Sequence, residues 1–273
     1  MSNMDRLGWT AGTAISTFGI CVGVRTNNDA VLRELSERFP PGWTPSRNVY
    51  VDRIYSVLLG RRHGGSRTRR YDLLFEDTER LARTMRIDEV LARFENSVQM
   101  LVASSARRRI FVHAGVVGWR GRAILMPGRS FSGKTTLVSA FLKAGATYYS
   151  DEYAVLDERG RVHPYPRALS LRGEAKEPPR RCTAEAFGSV AGTKPLPVAV
   201  VAAFRYERGA RWQPRRLSPG QAALALLSNT VPVRHAPERA LRTVRNTVEN
   251  ARVVRGRRGE AEETAELLLK MVG

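Results

Sequence analysis

Along the first hundred residues the spacing of hydrophobic positions changes several times. Residues 15–25 (Ile-Ser-Thr-Phe-Gly-Ile-Cys-Val-Gly-Val-Arg) alternate in a way that predicts a strand. In residues 27–39, Val31, Leu32, Leu35 and Phe39 recur at helical spacing, and Pro40-Pro41 stops the helix they predict. Residues 52–59 read as another strand. Residues 60–70 are basic and Gly-containing and predict an exposed hairpin loop, with 71–75 as the returning strand. Residues 84–106 predict a long amphipathic helix with Val90, Leu91, Phe94, Val98 and Leu101 on one side.

The pattern changes near Arg107–Arg109, where a soft domain boundary is expected: an α+β region over 1–106 and a second domain over 107–273 with a helical C-terminal tail. Residues 111–119 and 122–126 are two apolar strands joined by a tight turn at Arg120-Gly121. A Gly-containing loop follows, then a helix from Lys134 to about Lys143, closed by Gly145. Further strands are expected over 147–156 and 196–205, and helices over 218–227, opened by Ser-Pro, and 260–271. The alternation of strands and helices makes the fold class α/β.

Composition narrows the function classes. With 42% hydrophobic residues the chain can bury a proper core, and no run of 18 apolar residues exists to span a membrane. Residues 1–17 lack a basic segment followed by a long apolar core, so no signal peptide is expected. The two cysteines, Cys21 and Cys182, have no metal-type spacing and suggest a reducing cytoplasm. The net charge is +19, yet the arginines are scattered among clusters at 61–70, 107–109, 180–181 and 252–258. That dispersal reads first as a solvated Arg-rich surface, second as a face for an acidic or phosphorylated partner, and makes nucleic acid the least expected partner.

The chemistry concentrates in Met126-Pro-Gly-Arg-Ser-Phe-Ser-Gly-Lys-Thr-Thr136, which fits Gly-x-x-x-x-Gly-Lys-[Ser/Thr] without a gap. Gly128 and Gly133 let the backbone close into a nest of inward N–H groups, with Arg129, Ser130, Phe131 and Ser132 between them. The positive end of the following helix adds to the field. Lys134 is placed for the β/γ-phosphates, the Thr135 hydroxyl for Mg²⁺, and Thr136 completes the binding segment. ATP with Mg²⁺ is the expected cofactor. Seventeen residues beyond Lys134 stand Asp151 and Glu152. One helix and a turn consume that spacing, so Asp151 is expected at the end of an adjacent strand, facing the same crevice. Asp151 then suits the proton of an attacking hydroxyl, and Glu152 suits Mg²⁺. His63, His163 and His235 have no partner at metal spacing and are assigned no role.

Taken together, His113, the hairpin, the loop, the helix and Asp151-Glu152 resemble the catalytic core of HPr kinase/phosphorylase. The resemblance is close over about residues 110–175. It implies a phosphoenolpyruvate-carboxykinase-like P-loop fold, Mg²⁺-ATP, transfer to a serine hydroxyl, Asp151 as general base and His113 in a supporting position beside the acids. The segment 168–173 looks like the family's Leu-Glu-Ile-Arg-Gly segment. It retains Arg172, a candidate substrate or phosphate contact, and Gly173, but Ser170 stands where the family carries a metal-side glutamate. That departure leaves metal number and the reverse reaction open. The first 105 residues do not look like the family's usual N-terminal domain. The arrangement is similar instead to divergent HPr-kinase-like proteins beside lasso-peptide genes, some of which phosphorylate a precursor peptide. The family's tendency to oligomerise hints at a homo-oligomer. The resemblance thus implies a peptide or protein serine kinase, with a small-molecule hydroxyl kinase and a nucleotide-binding regulator as the alternatives.

Overall fold

The computed structural model describes residues 7–60, 71–128, 132–171 and 180–273. It is mixed α/β and divides into two units, Met1–Arg107 and Arg108–Gly273. The Arg-rich segment 61–70, predicted as a hairpin loop, lies outside the described residues.

In the first unit the residues expected to form one strand form a hairpin. β1 (Ala11–Thr17) and β2 (Ile20–Thr26) are antiparallel. Between them Phe18 and Gly19 both take positive φ, 47° and 83°. Two such residues match the right-handed twist of the strands. A Phe-Gly pair lacks the usual Asn-Gly or Asp-Gly signature, so hydrophobic alternation ran through the turn unbroken. α1 (Asp29–Ser36) begins where the Asn28 side chain accepts from the backbone N–H groups of Ala30 and Val31. β3 (Thr44–Pro45), β4 (Arg53–Leu58), β5 (Asp72–Glu76) and β6 (Glu79–Thr84) complete a six-stranded sheet in the order β3-β1-β2-β4-β5-β6. α2 (Ile87–Ser105) buries Val90, Leu91, Phe94, Val98 and Val102. Phe94 meets the buried Tyr55 of β4 edge to face at 5.2 Å.

The second unit is built on a mixed eight-stranded sheet. β7 (Ile110–Trp119) and β8 (Arg122–Pro127) are joined by the expected turn, with φ of 46° at Arg120 and 74° at Gly121. Next come α3 (Lys134–Lys143), β9 (Thr147–Ser150), β10 (Tyr153–Leu156), β11 (Val162–His163), β12 (Leu169–Leu171) and β13 (Arg180–Cys182). They are followed by β14 (Val198–Tyr206), β15 (Arg215–Arg216), α4 (Pro219–Leu227), α5 (Pro237–Glu249), β16 (Arg252–Arg258) and α6 (Ala261–Lys270). The sheet order is β11-β10-β7-β8-β14-β16-β15, with β9 also on β7. β8, β14 and β16 run parallel at its centre.

Two cores flank this sheet. One joins Val112, Leu125, Val201 and Val253 to Leu226 of α4 and Val244 of α5. The other joins Ile124, Val200 and Val254 to Val138 and Phe141 of α3 and Leu268 of α6. Successive residues of one strand thus feed opposite cores, as a sheet covered by helices on both faces requires. Among the described residues no helix is long and apolar enough to cross a membrane.

Candidate functional site

β8 is buried along Ala123–Pro127 and lies between β7 and β14, so it carries the chain to Gly128 from the middle of the sheet. The Gly128 N–H donates to the His113 carbonyl at 3.1 Å, tying the start of the loop to β7. Arg129, Ser130 and Phe131 lie outside the described residues. The chain re-enters at Ser132, and Gly133 has left-handed φ and ψ of 82° and 20° immediately before α3. A Cβ on Gly133 would stand 2.7 Å from Nη2 of Arg258, and one on Gly128 would stand 2.6 Å from Oγ of Ser132. A side chain at either position would push a neighbouring side chain aside, and at Gly133 the left-handed φ itself favours glycine. α3 has neither a side-chain cap nor an acid in its first turn. Its leading amides and its positive end are left for an anion.

Lys134 is the first residue of α3, and its Nζ donates to the Gly128 carbonyl at 2.9 Å, across the mouth of the loop. Burial lowers its pKa, against the raising effect of the Glu152 and Asp151 charges. The Thr135 hydroxyl donates to Oδ2 of Asp151 at 3.1 Å. The structure thus brings Lys134, Thr135, Asp151 and Glu152 into one neighbourhood. Thr136 is exposed.

The route by which Asp151 arrives differs from the expected one. Residues 147–156 are not one strand, and β9 is not adjacent to β8. β7 lies between them, with Pro127 of β8 opposite Ala114 and Ser150 of β9 opposite Val116. The carboxyl ends of β8 and β9 are therefore nearly level on the two edges of β7. The break between β9 and β10 is made by Ser150, whose Oγ accepts from the backbone N–H groups of Glu152 at 3.2 Å and Tyr153 at 3.0 Å. This local side-chain turn competes with the strand ladder and puts both acids in a bend.

Asp151 is 9% exposed. Burial and the neighbouring Glu152 charge raise its pKa, while hydrogen bonds from Thr135 and Tyr148 and the Arg167 charge pull it back. The buried Tyr148 hydroxyl lies 3.1 Å from Oδ1 of Asp151 and 2.8 Å from the Arg167 carbonyl, so its one proton is shared between two acceptors. Tyr148 went unnoticed in the sequence because a tyrosine in an apolar strand reads as core. His113 lies opposite Tyr153 in the β7–β10 pairing, and the two rings are 4.8 Å apart. Burial, and then the Lys134 charge, hold its pKa below the ordinary histidine value, so it is neutral at pH 7.

A second unforeseen residue is Arg258. In the cluster at 252–258, expected as solvated surface, Arg252, Arg255 and Arg257 are exposed, but the run forms the inner strand β16 and its last arginine is buried. Arg258 is 3% exposed. It donates from Nη2 to the Gly133 carbonyl at 3.1 Å and from Nη1 to the Gly259 carbonyl at 3.0 Å, with Tyr206 beneath its guanidinium. Its signal was faint: Val253 and Val254 are the apolar pair inside an otherwise basic run. His163, assigned no role, has a structural one: with Arg161 it pairs with Asp157 at the β10–β11 turn. Ser170 is exposed in β12 opposite Arg181, and Arg172 lies outside the described residues.

The donor set suits a hard cation that keeps other ligands. Among the described residues no group of three or more His, Cys, Asp or Glu is gathered as a metal cage. Mg²⁺ commonly takes one or two protein oxygens together with phosphates and water. Thr135 and Glu152 fit that pattern beside the loop, with Asp151 next to them. Comparison with protein-family models and with curated proteins finds no match to this chain.

Proposed function

We propose that this chain is a Mg²⁺-ATP-dependent kinase that transfers the γ-phosphoryl group to a hydroxyl, the serine of a peptide or protein. The observation that carries the reading is the Thr135–Asp151 hydrogen bond at the end of a phosphate-loop motif. It joins the motif's metal-side hydroxyl to a buried acid. The finer fold, a phosphoenolpyruvate-carboxykinase-like P-loop core, belongs to the same reading. Its support is the β8–loop–α3 unit, the parallel neighbours β14 and β16, and the acids level with the loop across β7. The resemblance to HPr kinase/phosphorylase supplies serine as the acceptor.

Bound Mg²⁺-ATP supplies the phosphoryl group and neutralises charge on its own phosphates. The open amides of α3 and Lys134, whose Nζ now lies on the Gly128 carbonyl, would hold the β/γ-phosphates. Thr135 and Glu152 would hold the metal. Asp151 accepts the proton of the acceptor hydroxyl, and its raised pKa makes it a stronger base than an exposed aspartate. Tyr148 fixes the carboxylate from the side opposite Thr135. His113, neutral and packed on Tyr153, supports the acids without a charge of its own. Most of the rate would then come from positioning and electrostatics.

The test is incubation of the purified chain with Mg²⁺-ATP and a library of serine-containing peptides, read by mass. A phosphopeptide is expected from wild type and none from Lys134→Ala. The reading is lost if no hydroxyl is phosphorylated, or if Lys134→Ala turns ATP over at the full rate. One observation favours a second reading, a nucleotide-binding regulator: Ser170, at the family's glutamate position, is exposed. ATP binding without turnover, together with a partner captured only in its presence, would support that reading instead.

A further inference from the structure

A cavity of about 790 Å³ opens at the carboxyl ends of β14 and β16. Pro127, the residue before Gly128, is part of its wall. Among the described residues, Arg205, Arg211, Arg215, Arg255 and Arg257 line it with a single acid, Glu207. The strand register explains the gathering. Arg205 is level with Arg257, and Ala203 with Arg255, across the parallel β14–β16 pair. Residues two apart on a strand share a face. β16 therefore sends Arg258 toward Gly133 and presents Arg255 and Arg257 on the opposite face. Arg215 joins from β15, opposite Arg255.

Glu207 is engaged by Arg257 at 2.9 Å. Arg205, Arg211, Arg215 and Arg255 have no acidic partner among the described residues. Five like charges around one concavity repel one another, and an anionic occupant relieves that repulsion. Arginine is also the side chain best shaped for carboxylates, through paired N–H groups.

We infer that this cavity docks an acidic segment of the acceptor peptide and so carries its hydroxyl to the loop. The identity of the occupant rests on the kinase reading; the anion site itself does not. Two observations favour a peptide. The Arg257 side chain is 70% exposed, so the wall is an open shelf. A small-molecule site encloses most of its ligand, whereas a chain can lie across such a shelf. Nucleic-acid grooves combine charge with several aromatic faces. Here, among the described residues, the one aromatic ring in the wall, Phe204, is packed on Trp212 at 4.8 Å.

The probe is a fluorescein-labelled heptapeptide of three glutamates, one serine and three glutamates, followed by anisotropy in roughly 0.15 M salt, near the physiological ionic strength. Arg211→Glu/Arg255→Glu changes two exposed side chains in the cavity. Arg242→Glu/Arg245→Glu makes the same charge change on the exposed face of α5 and is the control. The cavity variant should lose roughly tenfold or more in peptide affinity, the scale of one or two charge-assisted hydrogen bonds. The control should stay within about twofold of wild type, as expected when only long-range, screened charge is altered. Binding of a fluorescent ATP analogue should be unchanged in both. Equal losses in the two variants overturn the inference. So does a cavity variant that loses ATP affinity and keeps the peptide, or an oligothymidylate of equal charge that binds through the same arginines as tightly. Arginine-dependent peptide binding without phosphoryl transfer upholds the site and overturns the kinase reading instead.

Discussion

Asp151 shows how a single side chain can be costly to the fold and useful to the chemistry. Its carboxyl is buried, so its folded pKa is raised. The folded state then binds the proton more tightly than the unfolded chain. Stability is lost as pH rises from the ordinary aspartate value through the folded one, and at pH 7 the ionised group is a liability. Asp151→Asn should therefore stabilise the metal-free protein by about 1 kcal/mol, or roughly 2–4 °C in Tm by calorimetry; a lower Tm would contradict this. Tyr148 and Thr135 work the other way, because their hydroxyls donate to the charged form. In Tyr148→Phe the Asp151 pKa should move further up, as followed by carboxyl NMR titration. An unchanged value would mean that the tyrosine does not hold the acid.

At the scale of elements, local rules account for what could be read in the sequence. The turn at Arg120-Gly121, α3 and the Ser-Pro start of α4 follow from nearby residues, and all were legible. The break at Ser150 and the hairpin at Phe18-Gly19 interrupt apolar runs whose periodicity does not change, so they were not. Arg258 was illegible for another reason: its partner Gly133 is 125 residues away, and only the parallel pairing of β14 with β16 brings them together. Arg258→Lys keeps the charge but cannot bridge the Gly133 and Gly259 carbonyls as one rigid fork. It should weaken ATP binding roughly tenfold by calorimetric titration, and an unchanged Kd would remove Arg258 from the loop's support.

The β10–β11 hairpin carries its own pH dependence. Asp157 accepts from the Arg159 and Arg161 backbone N–H groups, the Arg161 side chain and the His163 ring. Burial opposes its charge, but these donors hold its pKa below the ordinary value. Its stabilisation is complete above the unfolded value and is lost as pH falls through the folded one. Asp157→Asn should cost about 1–2 kcal/mol at pH 7, and the gap to wild type should close below roughly pH 4.

Over the whole molecule, two units each enclose their own core beneath a surface that carries a net charge of +19. Self-repulsion of that size disfavours the compact state and is screened by salt. Raising NaCl from low to near-molar concentration should therefore raise Tm, and a fall would mean that attractive surface pairs dominate. In the proposed kinase the phosphate loop, the acids across β7 and the arginine cavity are all assembled by the sheet of the second unit. The most direct test of that account is the rate of phosphoryl transfer to a serine peptide by Asp151→Asn, measured beside its affinity for Mg²⁺-ATP. The account predicts that kcat falls by roughly 10²–10⁴ while ATP binding stays within a few-fold of wild type, the mark of a lost general base. A kcat equal to wild type would contradict it.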